Sequence, residues 1–188
     1  MRILMHMCCA PCATFPVSEL KSKGIEIEGL YYNPNIHPYE EFKKREDQVK
    51  KLAKIYDLKI HFLPDFEQEL WEEMKNSDKN RCNMCYQKRI ARLFQFAKLQ
   101  KFDAVTTSLL VSPYQDHDQI KELGEKYSNK YNIPFYYEDF RVGYREGQKK
   151  AKEHGFYQQR YCGCMLSLLE TIDQISKEEK AKRIVKND

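Results

Sequence analysis

The chain has 188 residues, a net charge of +4 and a hydrophobic share of 41%, which suits one domain with a sizeable core. Its aromatic share of 13% argues against a disordered chain, and no apolar run approaches the length of about 18 residues that a membrane span requires. The N-terminus carries no targeting segment, which predicts a cytoplasmic protein with no membrane partner, and the mildly basic charge permits a nucleic-acid partner.

Five short apolar runs, each bounded by Gly, Pro, Asn or Asp, predict β-strands over residues 3–7, 25–32, 58–63, 102–107 and 133–137. Helical periodicity lies between them, most clearly over Tyr39–Tyr56 and 86–101. Gly24, Gly124 and Gly155 stand where helix C-caps are expected. This alternation predicts an α/β fold, a Rossmann-like open parallel sheet with helices on both faces. The charged segment 176–188 predicts a solvated helix with a frayed end.

Polar and thiol side chains follow the predicted strands, where ligands of an open parallel sheet bind. Cys8, Cys9 and Cys12 come directly after the first strand, Asn33 and Asn35 end the second, and residues 108–114 follow the fourth. We expect these loops to face one crevice. No glycine-rich phosphate loop occurs in the chain, so we predict a metal loop and no nucleoside triphosphate.

The seven cysteines form three groups, which are Cys8, Cys9 and Cys12, then Cys82 and Cys85, then Cys162 and Cys164. Their odd number argues against a fully paired disulfide framework. The grouping predicts one site, assembled from three cysteine loops within a single domain of residues 1–188. Thiolates select zinc, copper(I) or iron–sulfur clusters, and four of them complete a zinc site or a cubane cluster. Because the chain has three thiols more than a four-ligand zinc site needs, an iron–sulfur cluster is favoured over structural zinc.

Several assignments within this set stay open. Cys8 and Cys9 share one metal centre only where the chain turns, and otherwise they serve two centres. Cys162 and Cys164 either form a redox-active dithiol and disulfide or complete a metal site. Cys12 is one thiolate too many for a four-ligand site, so we expect it to be a bystander.

Basic and aromatic residues crowd the second and third cysteine groups. Arg and Tyr together can hold phosphates and stack bases, as single-stranded RNA recognition requires. Composition alone favours an ordinary charged surface, but the position of the basic residues beside the predicted metal loops supports RNA binding. The histidines show no metal-ligand spacing. His117 lies between Asp116 and Asp118, which is typical of a polar helix N-terminus, and a proton donor is the alternative.

Five motifs resemble those of the QueH family of epoxyqueuosine reductases. They are MCCAPC at 7–12, YNPNI at 32–36, RCNMCY at 81–86, SPYQ at 112–115 and YCGC at 161–164. The resemblance runs to about Ser167. It implies a sheet related to the adenine-nucleotide hydrolases, an iron–sulfur centre, and two-electron removal of the epoxide oxygen from epoxyqueuosine in the tRNA anticodon loop. That reaction is the last step of queuosine modification.

Together with the resemblance, the residues give a specific hypothesis. Cys8, Cys9, Cys82 and Cys85 hold a [4Fe-4S] cluster, while Cys162 and Cys164 are catalytic, as a redox-active disulfide pair or as ligands of an additional iron ion. The substrate-binding candidates are Asn33, Asn35, Arg81, Tyr86, Arg89, Tyr114 and Arg160. The electron donor is unidentified.

Other arrangements remain within the hypothesis. Cys12 can replace Cys8 as a cluster ligand, and Asp139 can complete a second iron site. Two different functions compete with the reductase. One is a zinc- or iron-binding RNA-binding module without redox catalysis, and the other is a thiol–disulfide oxidoreductase without iron.

Overall fold

The computed structural model describes residues 1–73 and 81–185. Its centre is a parallel sheet in the order β3-β2-β1-β4, formed by β1 Arg2–His6, β2 Glu26–Tyr31, β3 Ile60–Phe62 and β4 Ala104–Thr107. Met5 of β1 is paired with Gly29 on one side and Thr106 on the other. The first four predicted strands are confirmed, and β3 and β4 are shorter than predicted.

The fifth predicted strand, at 133–137, is wrong. Among the described residues this segment makes only an isolated parallel bridge between Val105 and Phe135. Its hydrogen bonds run from Val105 N–H to Pro134 O at 3.0 Å and from Tyr136 N–H to Val105 O at 2.8 Å. Because Pro134 has no N–H to donate, the ladder does not extend past the bridge.

Seven helices are described: α1 Ala10–Ser22, α2 Tyr39–Tyr56, α3 Gln68–Glu73, α4 Arg81–Gln100, α5 His117–Tyr131, α6 Tyr144–Glu153 and α7 Met165–Val185. Helix α1 packs against α2 and α6, whereas α4 packs against α5 and the sheet. The prediction of an open parallel sheet covered by helices is confirmed. In residues 1–73 and 81–185 no helix combines the length and apolar character needed to cross a bilayer.

Helix boundaries match the sequence prediction except around the cysteines. Helix α2 is predicted to the residue, whereas α4 is described from Arg81, five residues before the predicted start. Cys82 and Cys85 therefore lie on a helix and not on a loop. The periodicity missed this turn because its first buried residue is the thiol Cys85 and not a large apolar side chain, while Cys82 is exposed. Helix α7 continues into the charged C-terminal segment, of which 186–188 lie outside the described residues.

Two of the three predicted glycine caps are confirmed. Gly24 and Gly155 follow α1 and α6 with φ of +70° and +66°, a conformation that glycine adopts without strain. Gly124 instead lies within α5, where an added Cβ would stand 2.3 Å from Phe135 Cδ1. A close ring contact, and not a cap, requires glycine there. Helix α5 ends at Asn132 in the left-handed conformation.

The carboxyl ends of β1 and β4 mark the point where the strand order reverses. From β1 the sheet grows towards β2 and β3, and β4 lies on the other side. His6 Nδ1 is 3.0 Å from Thr107 Oγ1, and Cys8 N–H donates to Ser108 Oγ at 3.1 Å, so the two strand ends are tied together. Open α/β sheets bind ligands at such a switch point, and here it carries the first cysteine group.

Candidate metal centre and active site

The first thiol group contains Cys8, Cys9 and Cys12. Cys8 lies in the turn after β1, Cys9 is the N-cap of α1 and Cys12 lies in the first turn of that helix. The three Sγ atoms are all within 4.8 Å of one another, and those of Cys8 and Cys9 are 3.8 Å apart. Cys12, expected to be a bystander, is therefore part of the group.

The electrostatics of this trio favour one negative charge. Hydrogen bonds from the thiols of Cys12 and Cys9 hold the pKa of Cys8 well below its ordinary value. Burial raises the pKa of Cys9, and the bond that Cys12 makes to Cys8 raises the pKa of Cys12. Gln159 Nε2 donates to Cys9 Sγ at 2.9 Å. The lowered pKa of Cys8 favours its thiolate, which is the form of cysteine that binds a cation.

A second thiol group contains Cys82, Cys85, Cys162 and Cys164. These four side chains line one small cavity between the start of α4 and the loop before α7. Burial raises the pKa of Cys85 to about 12. All seven cysteines lie within the described residues and carry free thiols, so the disulfide between Cys162 and Cys164 stays a prediction.

The loop that carries Cys162 and Cys164 is held in place by a buried arginine of α2. Arg45 is 2% exposed and pairs with Glu41 Oε1 at 2.7 Å. Its Nη1 donates to Cys162 O at 2.8 Å and its Nη2 to Tyr161 O at 3.0 Å. Sequence reasoning missed Arg45, because it belongs to a run of charges that reads as a solvated helix face.

His37 holds the same loop from the other side. Its backbone N–H donates to Gly163 O at 2.8 Å, and its ring Nδ1 accepts from Met165 N–H at 3.1 Å. Its Nε2 lies 3.0 Å from Pro34 O, so both ring nitrogens are engaged. Burial lowers the pKa of His37 and so disfavours the charged ring. Its role here is structural.

Arg89 of α4 lies between the two thiol groups, because it lines both the small cavity and a larger one. It is 2% exposed, and no carboxylate among the described residues forms an ion pair with it. Its Nε donates to Cys85 O at 3.2 Å. Burial opposes its charge, but the thiols of Cys85, Cys162 and Cys8 raise its pKa. Since buried charges require partners, the guanidinium of Arg89 favours negative charge in the two cavities that it lines.

The larger cavity has a volume of about 300 Å³ and opens beside the trio. Thiols and buried arginines line one part of it, and amides and aromatic rings line the rest. Tyr114 is 82% exposed and meets the ring of Tyr144 edge-on at 6.2 Å. The amide-bearing residues of the lining are Gln115, Gln148, Gln158 and Gln159. A cavity of this kind suits a planar, polar ligand.

The candidate substrate residues divide between the two cavities. Tyr114 and Arg160 line the larger one and Arg89 lines both, while Asn35, Arg81 and Tyr86 line the smaller one. Asn33 is in neither lining, and its Nδ2 donates to Met7 O at 2.9 Å. Arg81 also pairs with Glu170 of α7 at 2.7 Å.

Two further candidates have local structural roles. His117 is the first residue of α5, and its Nε2 lies 2.9 Å from Leu110 O. Asp116 caps the same helix by accepting from Gln119 N–H, so the polar helix N-terminus predicted here is confirmed. Asp139 accepts from the guanidinium of Arg141 at 2.6 Å, and that contact lowers its pKa to about 2.

Comparison with known proteins identifies the family of this chain. A family model described as "Epoxyqueuosine reductase QueH" matches residues 3–170. The chain belongs to the QueH family. By its family it is an oxidoreductase. Two relatives named epoxyqueuosine reductase QueH, from Thermotoga maritima and Haemophilus influenzae, are each 32% identical to it. The alignments cover 89% of this chain and 91% and 71% of those relatives.

The fold also has a counterpart among solved structures. A predicted subunit of tRNA methyltransferase from Methanocaldococcus jannaschii superposes with a TM-score of 0.50 and 15% identity, over 96% of this chain and 88% of that chain. At this identity the likeness concerns the fold alone. The predicted fold class, a Rossmann-like open parallel sheet covered by helices, is confirmed for this QueH family member.

Proposed function

We propose that this chain removes the epoxide oxygen of epoxyqueuosine in the anticodon loop of tRNA and leaves queuosine. The reaction consumes two electrons and two protons, breaks both C–O bonds of the epoxide and releases water. An external electron donor must supply the electrons. The observation that carries the proposal is a cavity at the sheet's switch point, open to both thiol groups, in a chain of the QueH family.

The larger cavity supports a single flipped-out nucleoside as the substrate. Its volume of about 300 Å³ is at the lower end of the range for small-ligand sites. Proteins read single-stranded RNA loops by splaying bases out and stacking them on aromatic rings. Tyr114 supplies such a ring at the mouth, and Arg160 supplies a charge for a neighbouring phosphate. The four amides of the lining suit the polar edge of a modified base.

The donor chemistry supports two metal sites. Two sulfurs bound at about 2.3 Å to one tetrahedral ion stand about 3.8 Å apart, which is the separation of the Cys8 and Cys9 sulfurs. The trio therefore fits one ion. The four thiols of the second group match the number of ligands in a [4Fe-4S] cluster. We assign the cluster to Cys82, Cys85, Cys162 and Cys164, which differs from the assignment made from the sequence.

The bound groups supply single-electron transfer and a Lewis acid, and the chain's own residues organise the rest. Arg89 is held by Cys85 O and faces both cavities, so its remaining N–H groups can donate to an oxygen that gains negative charge. Arg45 and His37 fix the loop of the second thiol group. Gln159 donates to Cys9 and thereby orients a sulfur of the trio.

Conversion of a defined tRNA tests the proposal. Anaerobically reconstituted protein is reduced with dithionite and mixed with a tRNA that carries epoxyqueuosine, and the nucleosides are then quantified by mass spectrometry. We expect queuosine to form. Iron-loaded protein that yields none would contradict the proposal. A protein that retains only zinc and binds tRNA without converting it would support the RNA-binding module instead.

A matched pair of variants tests the substrate site. Tyr114→Ala removes the exposed ring of the cavity, and Tyr137→Ala removes an exposed ring outside the cavity lining. Stacking of a base on an aromatic ring contributes about 1–3 kcal/mol, so we expect about a tenfold loss in kcat/KM for the first variant and little change for the second. Equal effects of the two substitutions would contradict this base site.

A further inference from the structure

Trp71 is the only tryptophan of the chain, and it lies beside the second thiol group. Its side chain is 1% exposed and packs in a small apolar cluster with Cys85, Cys164 and Leu166. It also lines the cavity that all four cysteines of that group share. Within residues 1–73 and 81–185, its Nε1–H has no hydrogen-bond partner.

An unpaired indole N–H in this position is unusual. A buried donor without a partner costs about 1–3 kcal/mol, and buried tryptophans normally find one. The ring cannot easily turn to find a partner elsewhere, because His37 packs edge-on against it at 5.4 Å and both ring nitrogens of His37 are engaged. The donor is therefore held in place beside a thiol-lined cavity.

We propose that Trp71 Nε1–H donates a hydrogen bond to a sulfur of the metal–thiolate centre held by Cys82, Cys85, Cys162 and Cys164. This inference rests on the proposed function, which supplies that centre. The acceptors of this cavity include the four sulfurs and the side-chain oxygens of Asn35, Tyr86 and Gln115. Of these, a sulfur becomes a stronger acceptor as it gains negative charge on binding iron. Arg89 adds a cation on the same cavity, so both groups stabilise negative charge there.

The consequence is a raised reduction potential. Hydrogen bonds to the sulfurs of a cluster stabilise its reduced, more negative state, and they are one of the means by which a protein sets the potential. The substitution Trp71→Phe removes this hydrogen bond and keeps an aromatic ring in the apolar side-chain cluster. We expect the one-electron reduction equilibrium to become about tenfold less favourable, which lowers the midpoint potential by about 59 mV.

The first experiment compares reconstituted wild type, Trp71→Phe and Met84→Leu. Met84 packs against the apolar side-chain cluster that contains Trp71, and its replacement by Leu preserves volume. Met84→Leu therefore controls for packing. Iron content and midpoint potential are measured. We expect wild-type iron in both variants and a lowered potential only in Trp71→Phe. Full iron with an unchanged potential, or an equal shift in Met84→Leu, would overturn the inference and leave the proposed function standing.

A second measurement does not depend on the stability of Trp71→Phe. Because the chain has one tryptophan, its indole fluorescence reports on this cavity alone. We expect strong quenching when wild type and Cys12→Ser are loaded with iron and sulfide, and none in Cys164→Ser. Unquenched wild type with full iron would overturn the role of Trp71. A wild-type chain that takes up no iron would overturn the proposed function and this inference together.

Discussion

Replacing Arg45 should both destabilise the protein and release the loop of the second thiol group. The Arg45→Met substitution removes the ion pair with Glu41 and two hydrogen bonds to the carbonyl oxygens of Tyr161 and Cys162. It leaves Glu41, which is 8% exposed, without its cationic partner. Breaking a buried ion pair from one side costs about 3–5 kcal/mol, and we expect a loss of that size in the free energy of unfolding.

Urea unfolding of the metal-free protein, followed by circular dichroism, measures this loss. Lys54→Met is a matched control, because Lys54 is an exposed cation on the same helix, and its replacement should change stability by less than about 0.5 kcal/mol. The double variant Glu41→Gln/Arg45→Met should lose less than the sum of the two single variants, since the residues are in contact.

Alkylation of Cys162 gives a second readout of the same substitution. Once Arg45 no longer holds the carbonyl oxygens of the loop, we expect faster modification by iodoacetamide in Arg45→Met than in wild type. If Arg45→Met were no less stable than Lys54→Met, and its alkylation rate equal to that of wild type, the positioning role of Arg45 would be refuted.

Two further predictions concern residues around the switch point. Burial holds the pKa of His6 at about 4, so the unfolded chain binds a proton that the folded chain does not as pH falls from about 6.5 to about 4. The free energy of unfolding should therefore fall by about 3 kcal/mol over that range. Urea titrations should show a shallower fall in His6→Gln, and an equal fall in the two proteins would show that His6 does not cause it. Gly163 has φ of +147°, and an added Cβ would stand 3.3 Å from Arg45 Nη1, so Gly163→Ala should lower iron content and cost about 1–3 kcal/mol of stability. Unchanged iron and stability in Gly163→Ala would show that the loop does not require this conformation.

The sequence predicts the sheet well, because the period of apolar residues reports directly on burial. Helix α2 is an example, since its boundaries follow from that period. The prediction fails where a missing hydrogen-bond donor or a close side-chain contact, and not apolar periodicity, determines the structure. Pro134 interrupts the fifth strand through its missing N–H, and Gly124 is required by the ring of Phe135 and not by a helix end. Neither effect changes the pattern of apolar and polar residues along the sequence.

The sequence predicts a site built from thiol side chains, but it does not show which of the cysteines lie together in space. Spacing marks Cys8, Cys9 and Cys12 as neighbours in sequence, yet only the turn into α1 brings Cys12 to the other two sulfurs. Arg45 and Trp71 act through contacts with segments that are distant in sequence, and local pattern gives no sign of such contacts. The same limit applies to the second thiol group, whose members come from α4 and from the loop before α7.

The most direct test of the account is the count of iron and acid-labile sulfide per chain in anaerobically reconstituted protein. For wild type we expect about five irons and about four sulfides. Cys12→Ser should lose about one iron and keep the sulfide, and Cys164→Ser should lose the sulfide. Sulfide retained in Cys164→Ser but lost in Cys9→Ser would contradict our grouping and support the assignment made from the sequence, and wild type without iron would contradict the account as a whole.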